Sequence, residues 1–154
     1  MMTENDTPEK NLRIFTSRYS NPELKNEGYY TVGISLGYPR WKLGYKVDTR
    51  VKDFAPPKSM WDGTEEEFEA KYTAMLDGMG KDTVAEIINW LDSSSDKKDI
   101  VLLCFEDIRI EDQYCHRTVL GEWLRKNLGI EVEELRDPTK PKGKVKNAEQ
   151  GTLI

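Results

Sequence analysis

The stretch Ile100-Val101-Leu102-Leu103-Cys104-Phe105 is continuously apolar, without alternation of polar and apolar residues. A short run of this kind is typical of a β-strand that is covered on both faces in the middle of a largely parallel sheet. We therefore expect it to be the central strand of an α/β domain.

The segments around this strand continue the α/β pattern. Downstream, residues 115–127 carry an apolar stripe that predicts a helix, and residues 130–135 alternate as a strand does. Upstream, residues 12–16 and 29–35 are rich in apolar, aromatic and β-branched side chains and predict two further strands. A long loop, residues 37–57, follows the second of these strands.

Two helices are predicted between this loop and the central strand. Thr64 and Glu67 fit a capping box ahead of apolar residues at helical spacing, and the first helix is expected to end near Gly80. Asp82 is expected to cap a second amphipathic helix, which closes at the serines of residues 93–95. The chain thus predicts a small, mostly parallel sheet flanked by helices.

Length and composition favour one folded domain. The chain has 154 residues, of which 37% are hydrophobic and 10% aromatic, and its formal net charge is −5. This charge argues against non-specific affinity for nucleic acid or an anionic membrane. We see no apolar run long enough to span a bilayer and no signal peptide, so we expect a cytoplasmic protein without a membrane partner.

The two ends of the chain differ from the domain in composition. Residues 1–11 form a polar leader, and residues 137–154 form a basic, proline- and lysine-rich segment without an apolar face. We expect the α/β domain to span residues 12–136. The C-terminal segment is interpreted as an exposed, solvated tail rather than an arm that binds polyanions.

The residues that could carry chemistry lie after the central strand. In open α/β sheets, ligands bind outside the carboxyl ends of the strands, where helix N-termini point their amides outward. Cys104 and Glu106 lie at that end and share one side of the sheet, because strand residues alternate. Cys115, His116 and Arg117 open the following helix. We expect these five residues to form one site.

Each of these residues has a chemical and a structural interpretation. The helix dipole and Arg117 would favour a Cys115 thiolate as a nucleophile, and His116, the only histidine, would carry protons. Glu106 would be a general acid or base, or would simply pair with Arg117 or cap the helix. A cysteine on a buried strand is more often a core residue than a nucleophile, so we expect Cys104 to pack in the core. Cys115 could also be buried, and His116 merely exposed.

Cys104 and Cys115 could instead be bonded to each other or to a metal. Cytosolic thiols are kept reduced, so a structural disulfide is the less expected state. A zinc site could be assembled from these two cysteines with Glu106 and His116, but the spacing lacks Cys-x-x-Cys pairs. We therefore expect no metal and no cofactor.

Several established motifs are absent from the sequence. A cysteine phosphatase loop needs an arginine six positions after its cysteine, and six positions after Cys115 the chain has Gly121. The chain also has no glycine-rich phosphate loop of the Walker or dinucleotide type and no Gly-x-Ser-x-Gly elbow. The motifs therefore do not assign a reaction.

The segment 102–106, Leu-Leu-Cys-Phe-Glu, followed by Cys-His-Arg at 115–117, resembles the signature of the domain-of-unknown-function family 488, a prokaryotic and phage group. The resemblance covers roughly residues 12–135. It implies a three-layer α/β fold with the five residues gathered at one site, and, by analogy, a role on nucleotides or nucleic acids. The chain departs from the commoner family pattern at residues 34–37, where an acidic residue and an arginine often follow the second strand.

We therefore expect a ligand-processing domain that acts on a nucleotide, a nucleic-acid end or a small phosphorylated compound. Arg117, Arg40 and Arg18 would hold anionic groups, with Ser17 as a polar contact from the first loop. The alternative is a non-catalytic module that binds a nucleotide or a partner. Its stacking surface would come from Trp41, Tyr45 and Trp61.

Overall fold

The protein is described here by a computed structural model, which covers residues 12–146. In that range five strands form one sheet, in the order β3-β2-β4-β1-β5, and every neighbouring pair is parallel. The strands are β1 (Ile14–Arg18), β2 (Tyr29–Gly33), β3 (Thr49–Arg50), β4 (Asp99–Cys104) and β5 (Val132–Glu134). The predicted α/β fold, with the apolar run as the central strand, is confirmed.

Three α-helices within residues 12–146 pack on one face of this sheet. They are α1 (Glu65–Met79), α2 (Lys81–Ser94) and α3 (His116–Leu128). Alternate residues of β4 point toward them, so that Ile100, Leu102 and Cys104 share a core cluster with apolar residues of all three helices. This cluster is the main core of the domain.

The opposite face of the sheet is covered differently. Val101 and Leu103 of β4 point to this side and form a second, smaller cluster with Tyr19, Leu24 and Leu135. Leu24 belongs to a short 3-10 helix (Pro22–Lys25), and partly buried side chains of the loop after β2 pack beside it. The second covering layer therefore consists of loop and 3-10 helix rather than α-helix.

The helix ends follow the sequence signals only in part. The capping box of α1 is confirmed, because the Glu67 amide donates to Thr64 Oγ1 at 3.1 Å and the Thr64 amide to Glu67 Oε1 at 2.9 Å. The predicted Asp82 cap of α2 is wrong. Gly80, at φ +90°, ends α1 and directly precedes α2, so Asp82 lies in the first turn. Glycine adopts this backbone conformation without a Cβ clash.

The chain after β5 remains in contact with the domain as far as the structure describes it. The Glu111 amide donates to the Lys144 carbonyl oxygen at 2.7 Å, and the Lys146 amide donates to that of Arg109 at 2.9 Å. Residues 137–146 of the predicted tail therefore lie against the loop that follows β4. The predicted leader, residues 1–11, and residues 147–154 lie outside the described residues. Within residues 12–146, no helix combines the length and apolar character that crossing a membrane requires.

The central strand offers a direct test of this core. Leu102 is fully buried between its neighbours, whereas Leu36 is 55% exposed. Leu102→Ala should lower the free energy of unfolding by about 3 kcal/mol, because it removes buried apolar surface and leaves a cavity. The matched Leu36→Ala variant should stay within about 0.5 kcal/mol of the wild type. Urea denaturation measures both variants, and an equal loss of unfolding free energy in the two would contradict the role of Leu102 as a core residue.

Candidate active site

A pocket opens at the carboxyl end of the central strand, where β2 and β4 end and α3 begins. It encloses about 210 Å³. Three of the predicted site residues, Cys104, Glu106 and His116, line its wall. The remaining lining residues are Ser35, Leu36, Gly37, Pro56, Lys58, Trp61 and Phe105. The pocket thus lies at the strand end where the sequence predicted a site.

Glu106 is the acidic residue of the pocket wall. Its side chain is half-buried, and this burial raises the pKa of the carboxyl group above its ordinary value. A hydrogen bond from its own backbone amide and the nearby Arg117 charge act in the opposite direction without cancelling the effect of burial. Its protonated form therefore persists to higher pH than that of an exposed glutamate.

His116 is buried rather than exposed, and one ring nitrogen is engaged. Its Nε2 lies 2.7 Å from the carbonyl oxygen of Ile34. A carbonyl oxygen only accepts, so Nε2 carries the proton and Nδ1 presents its lone pair, 3.6 Å from Cys115 Sγ. Burial lowers the pKa of His116 to about 4, and the Arg117 charge also lowers it. The imidazole is therefore neutral at pH 7.

The two cysteines lie together and are bonded. Cys104 at the end of β4 and Cys115, the residue before α3, form a disulfide across the start of the connecting loop. The disulfide, which the sequence analysis gave as the less expected state, is therefore the state of the two cysteines in this structure. The sequence could not show this contact, because the 11-residue separation says nothing about where the intervening loop returns. Both residues are buried, so the predicted core position of Cys104 is confirmed.

Arg117 is a buried guanidinium at the start of α3, with only 1% of its side chain exposed. It donates to both carboxylate oxygens of Glu134, through Nε at 3.1 Å and through Nη2 at 2.7 Å. Its Nη1 donates to the Glu106 carbonyl oxygen at 2.8 Å and contacts Cys104 Sγ at 3.2 Å. A ligand anion would have to compete with these internal bonds, so the anion contact stays a prediction.

Glu134 was not expected at this site from the sequence. It lies on β5, and Thr16 Oγ1 also donates to its Oε1 at 2.7 Å. The available signal was indirect: an arginine that opens a buried helix needs a carboxylate partner, and the strand after the helix carries two glutamates. The pairing of β5 with β1 decides which of the two glutamates contacts Arg117.

The other predicted ligand contacts do not line the pocket. Arg18 Nε donates to Asp137 Oδ2 at 2.7 Å, and Arg18 Nη2 donates to Thr139 Oγ1 at 3.0 Å. The hydroxyl of Ser17, which is buried, donates to the Arg18 carbonyl oxygen and accepts from Asn21 Nδ2. Arg40 is exposed on the loop after β2. Their ligand contacts stay predictions.

Exposed apolar side chains lie on the pocket wall, as Leu36 and Phe105 do, or next to it. Leu36, Tyr38, Trp41 and Phe105, here called the aromatic rim, are each at least 37% exposed. The Trp41 and Phe105 rings lie 6.0 Å apart, and the Arg50 guanidinium lies 4.8 Å above the Tyr38 ring. The rim therefore combines stacking faces with a cation.

Two of the aromatic residues predicted to stack on a ligand have internal roles. The Tyr45 hydroxyl donates to the Tyr19 carbonyl oxygen at 2.8 Å, and the Trp61 ring stacks on Phe68 with centroids 4.2 Å apart. Trp61 nevertheless lines the pocket. Lys58 and Phe105, which were not predicted as site residues, line it as well. Phe105 directly follows the central strand, whereas only the fold brings Lys58 to the strand end.

The Arg117–Glu134 pair can be tested with a matched control on the same strand. Glu134→Gln should lower the free energy of unfolding by about 2 kcal/mol, because the buried guanidinium loses its charged partner. Glu133→Gln changes the exposed neighbour and should stay within about 0.5 kcal/mol of the wild type. Chemical denaturation checks both, and equal effects would contradict the assignment of Glu134 as partner.

Two further carboxyl groups should make stability sensitive to acid. A hydrogen bond from Arg109 lowers the pKa of Asp107. Burial raises the pKa of Asp137, but bonds from Arg18 and Thr139 outweigh it, and the net pKa is lowered. Because both folded-state pKa values lie below the unfolded value of about 3.9, their contribution is complete above that pH and is lost as pH falls further.

Asp137→Asn should therefore be less stable than the wild type at neutral pH, and the difference should shrink as pH falls below about 4. Urea unfolding of the two proteins at a series of pH values measures this. Arg18→Met removes the partner and should show the same trend. A difference in the free energy of unfolding that does not change with pH would show that ionisation of Asp137 does not cause the acid sensitivity.

Comparison with known sequences places the chain in a family. The family model DUF488-N3a, described as the active DUF488-N3 subclade, matches residues 1–128. No curated protein and no solved structure matches the chain. The match covers most of the 154 residues, including all three residues of the pocket wall that were predicted as site residues. The chain therefore belongs to the DUF488-N3a family, a subclade of the DUF488 proteins.

Proposed function

We propose that the pocket at the end of β4 is an active site that processes a nucleotide, a nucleic-acid end or a small phosphorylated compound, with Glu106 as general acid or base. The observation that carries this proposal is the position of Glu106. The residue is half-buried and lies on the wall of a pocket that Leu36 and Phe105 of the aromatic rim also line. General acid–base catalysis needs such a group within reach of the ligand.

The surroundings of Glu106 favour a fixed position for this group. Arg117 Nη1 donates to the Glu106 carbonyl oxygen at 2.8 Å, and the same guanidinium is anchored on Glu134. The main chain at Glu106 is thus tied to two neighbouring elements, α3 and β5. A catalytic group held in this way loses little entropy when the ligand reacts. In this proposal Arg117 is a positioning residue.

The choice of a nucleotide-like ligand depends on the size and chemistry of the pocket. At about 210 Å³ the pocket is smaller than the roughly 300–1,000 Å³ typical of a whole ligand site. Only the reacting group would enter it, and the rest would lie on the rim. Phe105 and Trp41 offer faces on which a base can stack, and the exposed Lys58 offers a cation for a phosphate.

The remaining candidates for chemistry are internally engaged. Cys115 is bonded to Cys104, and His116 donates its Nε2 proton to Ile34. Glu106 is therefore the acid–base group with the fewest competing contacts among the predicted catalytic residues. The description of the matched family as active agrees with catalysis.

A substitution at Glu106 tests the proposal. The wild type is first screened on nucleoside mono- and triphosphates and short oligonucleotides, with and without added divalent metal, by chromatography of the products. Glu106→Gln should then reduce turnover by at least roughly 100-fold while the protein stays folded, because the amide cannot exchange the proton. Glu111→Gln, an exposed site in the following loop, is the matched control and should retain activity. Equal activity of the two variants would remove Glu106 from the mechanism.

A non-catalytic binding module is the second candidate, and the aromatic rim favours it. The exposed Trp41 makes binding measurable through quenching of its fluorescence. A module would bind a nucleotide with the same affinity in the wild type and in Glu106→Gln and would release it unchanged. An enzyme would convert it in the wild type only.

A further inference from the structure

Three buried side chains that can ligate a metal ion lie together at the strand end. One side-chain ligand atom from each of Cys104, Cys115 and His116 lies within 4.8 Å of the other two. They form the one such group of histidine, cysteine or acidic residues found in the part of the chain that the structure describes. We propose that these three residues bind a zinc-class divalent ion when the cysteines are reduced.

The orientation of His116 favours metal binding. Its Nε2 donates to the Ile34 carbonyl oxygen at 2.7 Å, which leaves the Nδ1 lone pair directed at the Cys115 sulfur. Histidines that ligate metals commonly donate their other ring N–H to a backbone carbonyl or a carboxylate, which fixes the tautomer and the ring plane. His116 already has this second bond, so the ring need not reorient.

The donor spacing agrees with tetrahedral coordination. With zinc–sulfur and zinc–nitrogen bonds of about 2.3 and 2.0–2.1 Å, neighbouring sulfur and nitrogen ligands lie about 3.6 Å apart. Cys115 Sγ and His116 Nδ1 are separated by 3.6 Å. The Cα atoms of Cys104 and Cys115 are 7.2 Å apart, beyond the roughly 4.4–6.8 Å usual for disulfide partners. This backbone spacing accommodates two sulfurs that move apart to share an ion.

The charges around the cysteines suit thiolate ligands. Arg117 Nη1 lies 3.2 Å from Cys104 Sγ, and Cys115 is the residue that precedes α3, where the helix dipole favours a negative charge. The Arg117 charge is itself matched by Glu134. A divalent ion with two thiolates would therefore leave the buried site without net charge, which lowers the cost of burial.

Reduction precedes metal binding. A dithiol reductant transfers two electrons and two protons to the Cys104–Cys115 disulfide and becomes a disulfide itself, whereas a phosphine reduces it together with one water molecule and becomes the phosphine oxide; both leave two thiols. The incoming divalent ion then displaces one proton from each thiol, and His116 binds as the neutral imidazole. Three protein ligands leave a fourth position, which we expect to face the pocket because Cys104 and His116 line it. Three protein ligands with one open position are typical of catalytic rather than structural zinc sites.

Cobalt provides the test, because its thiolate complexes absorb light where the free ion does not. The full chain is reduced with a phosphine under nitrogen and titrated with Co²⁺. We expect one ion per chain, with thiolate-to-cobalt charge-transfer bands and the visible bands of tetrahedral cobalt, and loss of both when Zn²⁺ is added. A folded, reduced wild type that shows no such bands would overturn the proposal without recourse to any variant.

Variants identify the ligands. Cys104→Ser, Cys115→Ser and His116→Asn should each weaken Zn²⁺ binding by more than the roughly 10- to 100-fold typical of a change outside the ligand shell. Glu111→Gln should bind as the wild type does. Circular dichroism of each variant confirms that the chain is folded, and unchanged binding in the folded cysteine variants would also overturn the proposal. These experiments measure metal binding alone, so they test the proposed metal site independently of the proposed enzymatic role.

Discussion

The buried guanidinium of Arg117 connects the parts of the molecule on which the candidate site depends. It extends from the first turn of α3 to the Glu134 carboxylate on β5, and to the chain at Cys104 and Glu106 where β4 ends. A charge with 1% exposure is tolerated only when its hydrogen bonds are satisfied. Satisfying them fixes the register of three elements at once, and the pocket lies where they meet.

The asymmetry of the fold explains why the pocket carries two different kinds of surface. Cys104 points to the helix-covered face of the sheet, where it belongs to the main core, and the next residue, Phe105, points to the other face. That face is covered by loops, so Phe105 contacts Tyr19 and Trp41 and stays partly exposed. Buried polar chemistry therefore lies on one side of the strand end and open stacking surface on the other.

The fold could be predicted where local patterns act alone. The unbroken apolar run of β4 and the Thr64–Glu67 capping box are each recognised from a few neighbouring residues, and both predictions are confirmed. β3 could not be found, because its two residues, Thr49 and Arg50, become a strand only by pairing with Val32 and Gly33. The Asp82 cap is wrong because Gly80 both ends α1 and is the residue before α2, which leaves no separate capping position.

The candidate site shows the same division between local and tertiary information. The sequence predicted that Cys104, Glu106 and His116 would lie together at the end of β4, since the carboxyl ends of parallel strands lie at one edge of the sheet. The partners that decide their chemistry come from distant segments: Ile34 fixes the His116 tautomer, and Glu134 occupies Arg117. These contacts also constrain the sulfurs. Because Glu134 already balances Arg117, two bare thiolates beside Glu106 would be uncompensated, and the reduced pair must hold either its protons or a cation.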